Sequence, residues 1–245
     1  MRTVVILQAR VASTRLPGKV LMDIAGRPML VRQIERLQTC REVDEIVVAT
    51  TDDDSDAPLV QLAEQCGVRW YRGETDNVLR RFVRAAREAD ADVVVRSTGD
   101  CPLIDPGVSD RVIRELLDHP ADCDYASNVI VRTYPRGLDT EAMYVDVLDR
   151  MDRLATSKPA REHVTVFLRS ERRDLFVTRD ICDADDNSDL RWTVDDERDL
   201  RLIRALYESL NLSQRQLSYA ELLAYMRQQP SLGALNAGGY TWSPQ

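Results

Sequence analysis

The sequence contains few residues of the types that build metal centres and disulfide frameworks. Its 245 residues include five cysteines and two histidines. The cysteine count is odd and no two cysteines form a C-x-x-C pair, so neither a zinc site nor a disulfide framework is expected. Two histidines argue against a histidine-based metal site. Unpaired cysteines are typical of the reducing cytoplasm, where we expect the protein to reside.

Long apolar runs are also absent. No stretch approaches the roughly 18–20 apolar residues that cross a bilayer. The short apolar stretch at residues 3–7 lacks a cleavage signature, which indicates a strand and not a signal peptide. The formal net charge is −8, from 33 basic and 41 acidic residues, whereas nucleic-acid binding usually needs a basic surface. We therefore expect neither a membrane nor a nucleic acid as a partner.

Apolar strands alternate with helical patterns through the first half of the chain, and charged residues make up 30% of the whole. Such alternation predicts an α/β fold, a Rossmann-like and mostly parallel sheet with helices on both faces. The strands are expected at residues 4–7, 45–50, 68–71 and 91–96. The helices are expected at residues 28–37, 59–66, 77–89 and 106–117.

The second half has a more mixed pattern. Strands are predicted at residues 175–178 and 190–194, helices at 161–169, 198–210 and 219–227, and an irregular tail at 233–245. We expect a single domain over residues 1–245. Its core is predicted at about 1–125 and 175–228, and a smaller mixed lobe for the acceptor and for dimerisation at about 126–174.

The loop after the first strand reads QARVASTRLPGKVL over residues 8–21. It follows a strand end, where ligands bind in open α/β sheets, and it carries Arg10, Arg15 and Lys19 among small residues such as Ser13 and Gly18. Small residues let backbone N–H groups approach an anion whose charge the cations offset. The pattern fits a triphosphate, although solvated surface arginines would also explain the charges, because neither G-x-x-x-x-G-K-[ST] nor G-x-G-x-x-G is present.

Lysine is scarce, which makes its place in this loop informative. Only Lys19 and Lys158 occur among the 33 basic residues. The arginine bias by itself carries no mechanistic meaning. A chain that uses arginine nearly everywhere nevertheless places a lysine in its most motif-like loop, and a compact ammonium group is a common phosphate ligand.

Two separated strands end in a carboxylate. Residues 93–98 run as a strand into Gly99 and Asp100, and Asp195 follows the strand at 190–194. Two carboxylates in one crevice can hold Mg²⁺ together with phosphate oxygens and water. Helix capping is the simpler use of such residues, and Asp105 before Pro106 fits that role.

These segments together resemble the sugar cytidylyltransferases. Residues 9–19 match the nucleotide loop A-R-x-x-S-T-R-L-P-x-K, GDCPLID at 99–105 is similar to the motif G-D-x-P-L-I, and TVDDERDL at 193–200 to V-D-x-x-x-D-L. The likeness runs over about residues 2–205 and is greatest to the spore-coat polysaccharide biosynthesis protein F type, related to the 3-deoxy-manno-octulosonate and acylneuraminate cytidylyltransferases. It implies a fold of the nucleotide-diphospho-sugar transferase type.

The resemblance also implies roles for individual residues. Catalysis is assigned to Lys19, Arg10 and Asp100, and Mg²⁺ to Asp100 and Asp195. The nucleotide-binding residues are Ala9, Arg10, Ser13, Arg15, Lys19, Asp76, Asn77 and Thr98. The acceptor-binding residues are Asn128, Arg136, Asp139, Glu141 and His163. Capping of a helix is the simpler account of Asp76 and Asn77. For His163, a core or capping role is an equal alternative. Asp199 is expected to brace the helix that follows it.

The activity implied by the resemblance is Mg²⁺-dependent transfer of CMP from CTP to a small-molecule acceptor, with release of pyrophosphate. The acceptor would be a sugar, sugar acid, phosphate or phosphonate, the setting surface glycan biosynthesis, and the assembly a homodimer. The sequence departs from the octulosonate enzymes at Thr98 and Cys101, where they carry Gln and Glu. Thr98 in place of Gln removes an amide that could bind the cytosine base. Cys101 in place of Glu argues against a sugar acid as the acceptor.

Three other functions are compatible with parts of the pattern. Asp52 to Asp54 form a D-x-D after an apolar strand, as in nucleotide-sugar-dependent glycosyltransferases, although this leaves the cationic loop without a role. A nicotinamide dehydrogenase fits the alternation of elements but lacks the glycine-rich fingerprint. A non-catalytic nucleotide-binding protein would tolerate loss of a carboxylate, yet both carboxylate motifs are present.

Overall fold

The computed structural model describes residues 1–238. The strands are β1 (Thr3–Gln8), β2 (Asp23–Ile24), β3 (Arg27–Pro28), β4 (Glu45–Thr51), β5 (Arg69–Gly73), β6 (Val93–Thr98), β7 (Tyr125–Ser127), β8 (Glu141–Tyr144) and β9 (Thr178–Asp180). The helices are α1 (Met29–Leu37), α2 (Ala57–Gln65), α3 (Val78–Glu88), α4 (Pro106–Leu117), α5 (Val145–Leu154), α6 (Lys158–Glu162), α7 (Glu197–Ser209), α8 (Tyr219–Gln228) and α9 (Pro230–Gly233).

The main sheet has seven strands in the order β5-β4-β1-β6-β8-β7-β9. Strand β1 pairs in parallel with β4 and β6, β4 pairs in parallel with β5, and β7 with β9. Strand β8 runs antiparallel to both of its neighbours. The predicted fold class, a mostly parallel sheet with helices on both faces, is therefore confirmed.

Alternation along β1 produces the two cores. Val5 and Leu7 point to the face packed by the helices α1, α4, α7 and α8. Val4 and Ile6 point to the opposite face, which α3 and α5 cover. Because successive side chains of a strand point to opposite faces, an almost uniformly apolar strand such as β1 is what a sheet covered on both sides requires.

The second half departs from the predicted elements. Residues 190–194, expected to form a strand, make a single bridge between Arg136 and Arg191. The strand predicted at 175–178 lies at Thr178–Asp180 instead, after a short 3₁₀ turn at Arg173–Leu175. The helix predicted at 161–169 is also wrong, because α6 ends at Glu162 and a π-helical turn covers Phe167–Glu171.

Some segments were not foreseen. The sequence patterns predict neither the short strands β7 and β8 nor the helix α5. Strand β8 belongs to the segment expected to form a lobe, but it lies inside the main sheet. The expected irregular tail begins at the end of α9, and its residues 239–245 lie outside the described residues. Within residues 1–238, no helix combines the length and the apolarity needed to span a bilayer.

Candidate active site

A cavity of about 560 Å³ opens at the carboxyl ends of β1 and β6. This is the edge at which open α/β sheets bind ligands, and the volume suits a small molecule. The following residues with predicted roles line it: Ala9, Arg10, Ser13, Arg15, Lys19, Thr98, Asp100, Arg136, Asp139, Glu141, His163 and Asp195. The structure therefore brings the predicted nucleotide loop, both predicted metal ligands and most predicted acceptor residues to one place.

The cationic loop after β1 is held at both ends. The backbone N–H of Val11 donates to Asp56 Oδ1 at 2.7 Å, and the N–H of Gly18 donates back to the Val11 carbonyl at 3.0 Å. Gly18 has a φ of 71°, in the left-handed region that favours glycine. Asp56 is buried and also accepts hydrogen bonds from Thr50 and Thr51, so the loop is fixed to the start of α2.

Lys19 lies between the two predicted metal ligands. Its Nζ is 3.1 Å from Asp100 Oδ2 and 3.2 Å from Asp195 Oδ1, and it donates to the Val194 carbonyl at 2.7 Å. Arg15 Nη2 reaches the same Asp195 oxygen at 2.8 Å. Two carboxylates that are 95 residues apart in sequence thus converge on a single ammonium group.

The charges of this group stabilise one another. Burial would lower the pKa of Lys19, but the negative charges of Asp100 and Asp195 outweigh it and raise that pKa above its ordinary value. Burial would likewise raise the pKa of Asp100, but Lys19 and a hydrogen bond from Thr98 lower it. Lys19 and Asp100 are therefore both ionised at neutral pH.

Backbone contacts bring the second carboxylate to the first. The N–H of Val194 donates to the Asp100 carbonyl at 2.8 Å, and the buried Asp199 accepts hydrogen bonds from the backbone N–H groups of Asp195 and Asp196. Asp196 and Asp199 also form a capping box at the start of α7. Asp199 thus braces both the start of α7 and the segment that carries Asp195.

The donor set at this point suits Mg²⁺. Within residues 1–238, no group of three or more His, Cys, Asp or Glu side chains is arranged to hold a metal ion. Mg²⁺ needs only one or two carboxylates when phosphate oxygens and water complete its shell. A lysine ammonium already bridges Asp100 and Asp195, so a cation fits between them.

The opposite wall of the cavity is a turn at residues 135–138 that carries Arg136. The backbone of Arg136 accepts from Trp192 N–H at 2.6 Å and donates to the Leu190 carbonyl at 3.1 Å. At Gly137 a Cβ atom would lie 2.6 Å from the Thr193 nitrogen, and φ is 106°. Only glycine lets this turn pack against residues 192–193. Next to this turn, Arg132 and Asp139 form a bidentate ion pair, with Nη1–Oδ1 and Nη2–Oδ2 distances of 2.7 and 2.8 Å.

Glu141 lines the cavity but is 2% exposed, and it is the first residue of β8 rather than part of a polar loop. It forms an ion pair with Arg96, lies 3.8 Å from Arg169 and accepts a hydrogen bond from Tyr125. Burial alone would raise the pKa of Glu141, but the charges of Arg96 and Arg169 reverse the effect and lower it. Glu141 is therefore an ionised anchor for two arginines of the cavity wall.

His163 reaches the cavity from a strained turn after α6. The N–H of His163 donates to the Pro159 carbonyl at 2.8 Å and ends the helix. The next residue, Val164, is fully buried with a φ of 51°, a conformation that a β-branched residue rarely adopts. This strained residue lies between His163 and Thr165, which both line the cavity. Backbone strain of this kind is often found at functional sites.

Three predicted site residues lie elsewhere. Asn77 caps α3 by accepting the Arg80 N–H at 3.1 Å, and with Asp76 it lines a separate, shallower depression near Asp52. Asn128 is buried and bonds the Leu138 carbonyl and the Thr140 N–H, so it stabilises residues 138–140 and does not line the cavity. In the D-x-D segment, Asp53 caps a short helical turn and the Asp54 side chain is exposed to solvent.

Sequence reasoning missed several arginines of the site. Arg96, Arg132, Arg169 and Arg191 all line the cavity. An arginine inside the apolar strand β6 was a usable signal, because a charged residue at such a position needs a partner or a ligand. The others carried no such signal in a chain that uses arginine nearly everywhere.

A family model described as cytidylyltransferase matches residues 4–231. The spore coat polysaccharide biosynthesis protein SpsF of Bacillus subtilis is 30% identical over 92% of this chain and 94% of its own. The 3-deoxy-manno-octulosonate cytidylyltransferase of Geobacter sulfurreducens is 38% identical over 49% of this chain and 48% of its own.

Solved structures agree with the sequence comparison. A cytidylyltransferase from Leptospira borgpetersenii superposes with a TM-score of 0.90 at 27% identity, covering 99% of this chain and 100% of that one. A CMP:2-keto-3-deoxy-manno-octonic acid synthetase complexed with CTP, at 24% identity and a TM-score of 0.64 over 86% of this chain and all of that one, shares the fold. The chain belongs to the cytidylyltransferase family and is accordingly a CTP-dependent nucleotidyltransferase.

Proposed function

We propose that this cytidylyltransferase uses Mg²⁺ to join CMP from CTP to an anionic small-molecule acceptor in the synthesis of a surface glycan. The observation that carries the proposal is the convergence of Asp100 and Asp195 on Lys19 in a cavity that Arg10 and Arg15 also line. The glycan setting is supported by the relative that is named a polysaccharide biosynthesis protein.

In the proposed reaction, an acceptor oxygen attacks the α-phosphorus of CTP. The new O–P bond forms as the bond between the α-phosphorus and the bridging oxygen breaks, and pyrophosphate leaves with the electron pair. Arg10, Arg15 and Lys19 would hold the triphosphate and offset its charge. Asp100 and Asp195 would hold Mg²⁺, which supplies charge neutralisation at the phosphates when bound. Most of the acceleration would come from positioning.

The charge of the acceptor wall favours a sugar acid, phosphate or phosphonate over a neutral sugar. Arg96 and Arg132 are paired with Glu141 and Asp139. For Arg136, by contrast, no carboxylate within residues 1–238 is at ion-pair distance, and burial and the nearby charge of Arg132 lower its pKa. A guanidinium in that setting would be stabilised by an anionic group on the acceptor.

Pyrophosphate release tests the proposal. Four nucleoside triphosphates are combined with Mg²⁺ and with neutral sugars, sugar acids, sugar phosphates and phosphonates. We expect pyrophosphate from CTP with an anionic acceptor, and loss of the product when EDTA removes the metal. Equal release with neutral sugars would contradict the acceptor class. Transfer of a sugar from a nucleotide sugar, without pyrophosphate, would support the glycosyltransferase alternative instead.

A further inference from the structure

The last residue of β1, Gln8, has its backbone fixed on both sides. Its carbonyl accepts the Gly99 N–H at 2.8 Å, and the N–H of Ala9 donates to the Ala49 carbonyl at 3.3 Å. By the alternation of the strand, Gln8 shares the face of Val4 and Ile6, which pack against α3. At the sheet edge this face opens into the cavity, which Gln8 lines.

The Gln8 side chain holds an acceptor without a donor. Its Oε1 is buried and receives no hydrogen bond from the described part of the chain. The two residues paired with Gln8 cannot supply one, because Ala49 has no polar side-chain atom and Thr98 gives its hydroxyl to Asp100 at 2.6 Å. A buried amide oxygen without a partner is costly, which indicates that a ligand group satisfies it.

The group that would donate a hydrogen bond to Gln8 Oε1 belongs to the nucleotide, but not to its phosphates. Phosphate oxygens are acceptors, and the cations that would hold them lie further along the loop, from Arg10 to Lys19. Close to Gln8 the walls are small. Gly99 packs tightly against Ala9, since a Cβ atom at Gly99 would lie 3.1 Å from the Ala9 Cβ. Because neither residue has a side chain longer than a methyl group, the part of the cavity beside Gln8 can take a flat ring that carries an amino group.

We infer that Gln8 Oε1 accepts a hydrogen bond from the exocyclic amino group of cytosine, so that Gln8 selects the base of the nucleotide. Uracil presents a carbonyl oxygen at the same position, and two acceptors repel each other. This inference rests on the proposed use of CTP in the cavity. It extends that proposal by naming the side chain that distinguishes CTP from UTP.

Calorimetric titration of Mg²⁺ complexes of CTP, UTP and dCTP tests the inference without an acceptor. Gln8→Met removes the amide at similar size. It should weaken CTP binding about tenfold and leave UTP binding nearly unchanged. Gln8→Glu can only accept hydrogen bonds, so it should restore CTP binding and give a CTP-to-UTP ratio at least as large as that of the unmodified protein.

Thermal unfolding without ligand separates base reading from a structural role. Because Gln8→Met removes a buried oxygen that has no partner, its melting temperature should equal or exceed that of the unmodified protein. Gln38→Met is the matched control. Gln38 lies just after α1 and donates to the Cys66 carbonyl, so its replacement should leave every nucleotide affinity unchanged. A lower melting temperature for Gln8→Met would favour a structural role and overturn the inference.

The titration outcomes distinguish this inference from the proposed function. Equal weakening of CTP and UTP by Gln8→Met, or a change confined to the preference for CTP over dCTP, would overturn the role in base reading. Equal affinity of the unmodified protein for CTP and UTP would also overturn it and leave nucleotidyl transfer intact. Failure of the unmodified protein to bind any nucleotide would instead contradict the proposed function itself.

Discussion

Lys19 has one role in the structure and a second role in the proposed mechanism, and both follow from its position. It is largely buried, and its ammonium group holds Asp100 and Asp195 at 3.1 and 3.2 Å. In this arrangement the ammonium group offsets the charges of the two carboxylates and holds them together. Under the proposed mechanism a Mg²⁺ ion would take over that function, and the flexible lysine stem would let the ammonium group turn to the phosphates.

Asp100→Asn should lower turnover with CTP on the order of a hundredfold or more, because a neutral amide is a poor Mg²⁺ ligand and leaves Lys19 with less compensation. Steady-state pyrophosphate release measures the effect. Asp54→Asn is the matched control, since the Asp54 side chain is exposed outside the cavity. Turnover of Asp100→Asn equal to that of the control would remove Asp100 from the metal site.

Lys19→Met should weaken binding of CTP by about tenfold or more while CMP binding changes little, because the lost ammonium group acts on the outer phosphates. Titration calorimetry gives, for each nucleotide, the ratio of the dissociation constant of Lys19→Met to that of the unmodified protein. A loss of the same factor for CTP and CMP would mean that Lys19 does not contact the triphosphate tail.

Glu141→Gln should destabilise the protein by about 3 kcal/mol at pH 7, because it leaves Arg96 and Arg169 without their buried counter-charge. The pKa of Glu141 is lower in the folded protein than its ordinary value of 4.5, so its contribution is complete above about pH 5 and is lost as the pH falls through the folded value. Urea unfolding is measured between pH 3 and pH 7. The difference in the free energy of unfolding between Glu141→Gln and the unmodified protein should shrink as the pH falls below about 5.

Glu208→Gln serves as the comparison for this variant. Glu208 is exposed on α7, and its replacement should leave the free energy of unfolding within about 0.5 kcal/mol at every pH. A constant difference between Glu141→Gln and the unmodified protein across the pH range would contradict an ionised Glu141.

At the scale of elements, the turn at residues 135–138 depends on its contact with residues 192–193. Gly137→Ala should cost about 2–4 kcal/mol and reduce turnover, because a Cβ 2.6 Å from the Thr193 nitrogen adds a clash to the strain of a positive φ. Gly67 has a φ of 68° and open space where a Cβ atom would lie. Gly67→Ala should therefore lower the free energy of unfolding by about 1 kcal/mol and leave turnover unchanged. Equal costs in thermal unfolding would exclude the clash.

The predicted elements of the first half were confirmed because each has a strong local pattern. Helix α4 lies where Asp105 and Pro106 predicted its start, with Asp105 accepting the Val108 N–H. The elements of the second half are shorter and depend on distant partners. Residues 190–194 alternate like a strand because Trp192 and Val194 are buried in the core, yet their backbone bonds go to Arg136 and Asp100 and not to a strand ladder.

The candidate site was predictable where motifs follow strand ends and unpredictable where tertiary packing decides. Lys19 and Asp100 follow directly from the segments after β1 and β6. The role of Glu141 as a buried anchor follows from its pairing with Arg96 across β6 and β8, which no local pattern encodes. Asn128 has a side-chain amide of the kind that often contacts ligands, but its NH2 group donates to the Leu138 carbonyl and its oxygen accepts from the Thr140 N–H.

At the scale of the whole molecule, a chain of net charge −8 surrounds a positively charged cavity. Eight arginine and lysine side chains line it against four carboxylates. Such a field attracts an anionic nucleotide and is screened by salt. Raising NaCl from about 50 to about 500 mM should weaken binding of CTP on the order of tenfold and leave binding of uncharged cytidine unchanged. Equal salt dependence for both ligands in calorimetry would contradict this account.

The homodimer implied by the resemblance and the cytoplasmic location expected from the unpaired cysteines remain predictions. Light scattering of the purified protein measures the first directly, with a mass of twice 27.9 kDa expected. A monomer at micromolar concentration would contradict it without affecting the assignment of the cavity, because the residues argued to bind CTP all come from one chain.

The most direct test of the central claim is a crystal structure of the protein with CTP and Mn²⁺, an ion visible by its anomalous scattering. We expect one peak bound by Asp100 and Asp195, with the triphosphate along residues 10–19 and the cytosine beside Gln8. A nucleotide bound outside this cavity, or a metal ion away from both carboxylates, would contradict the assignment of the active site.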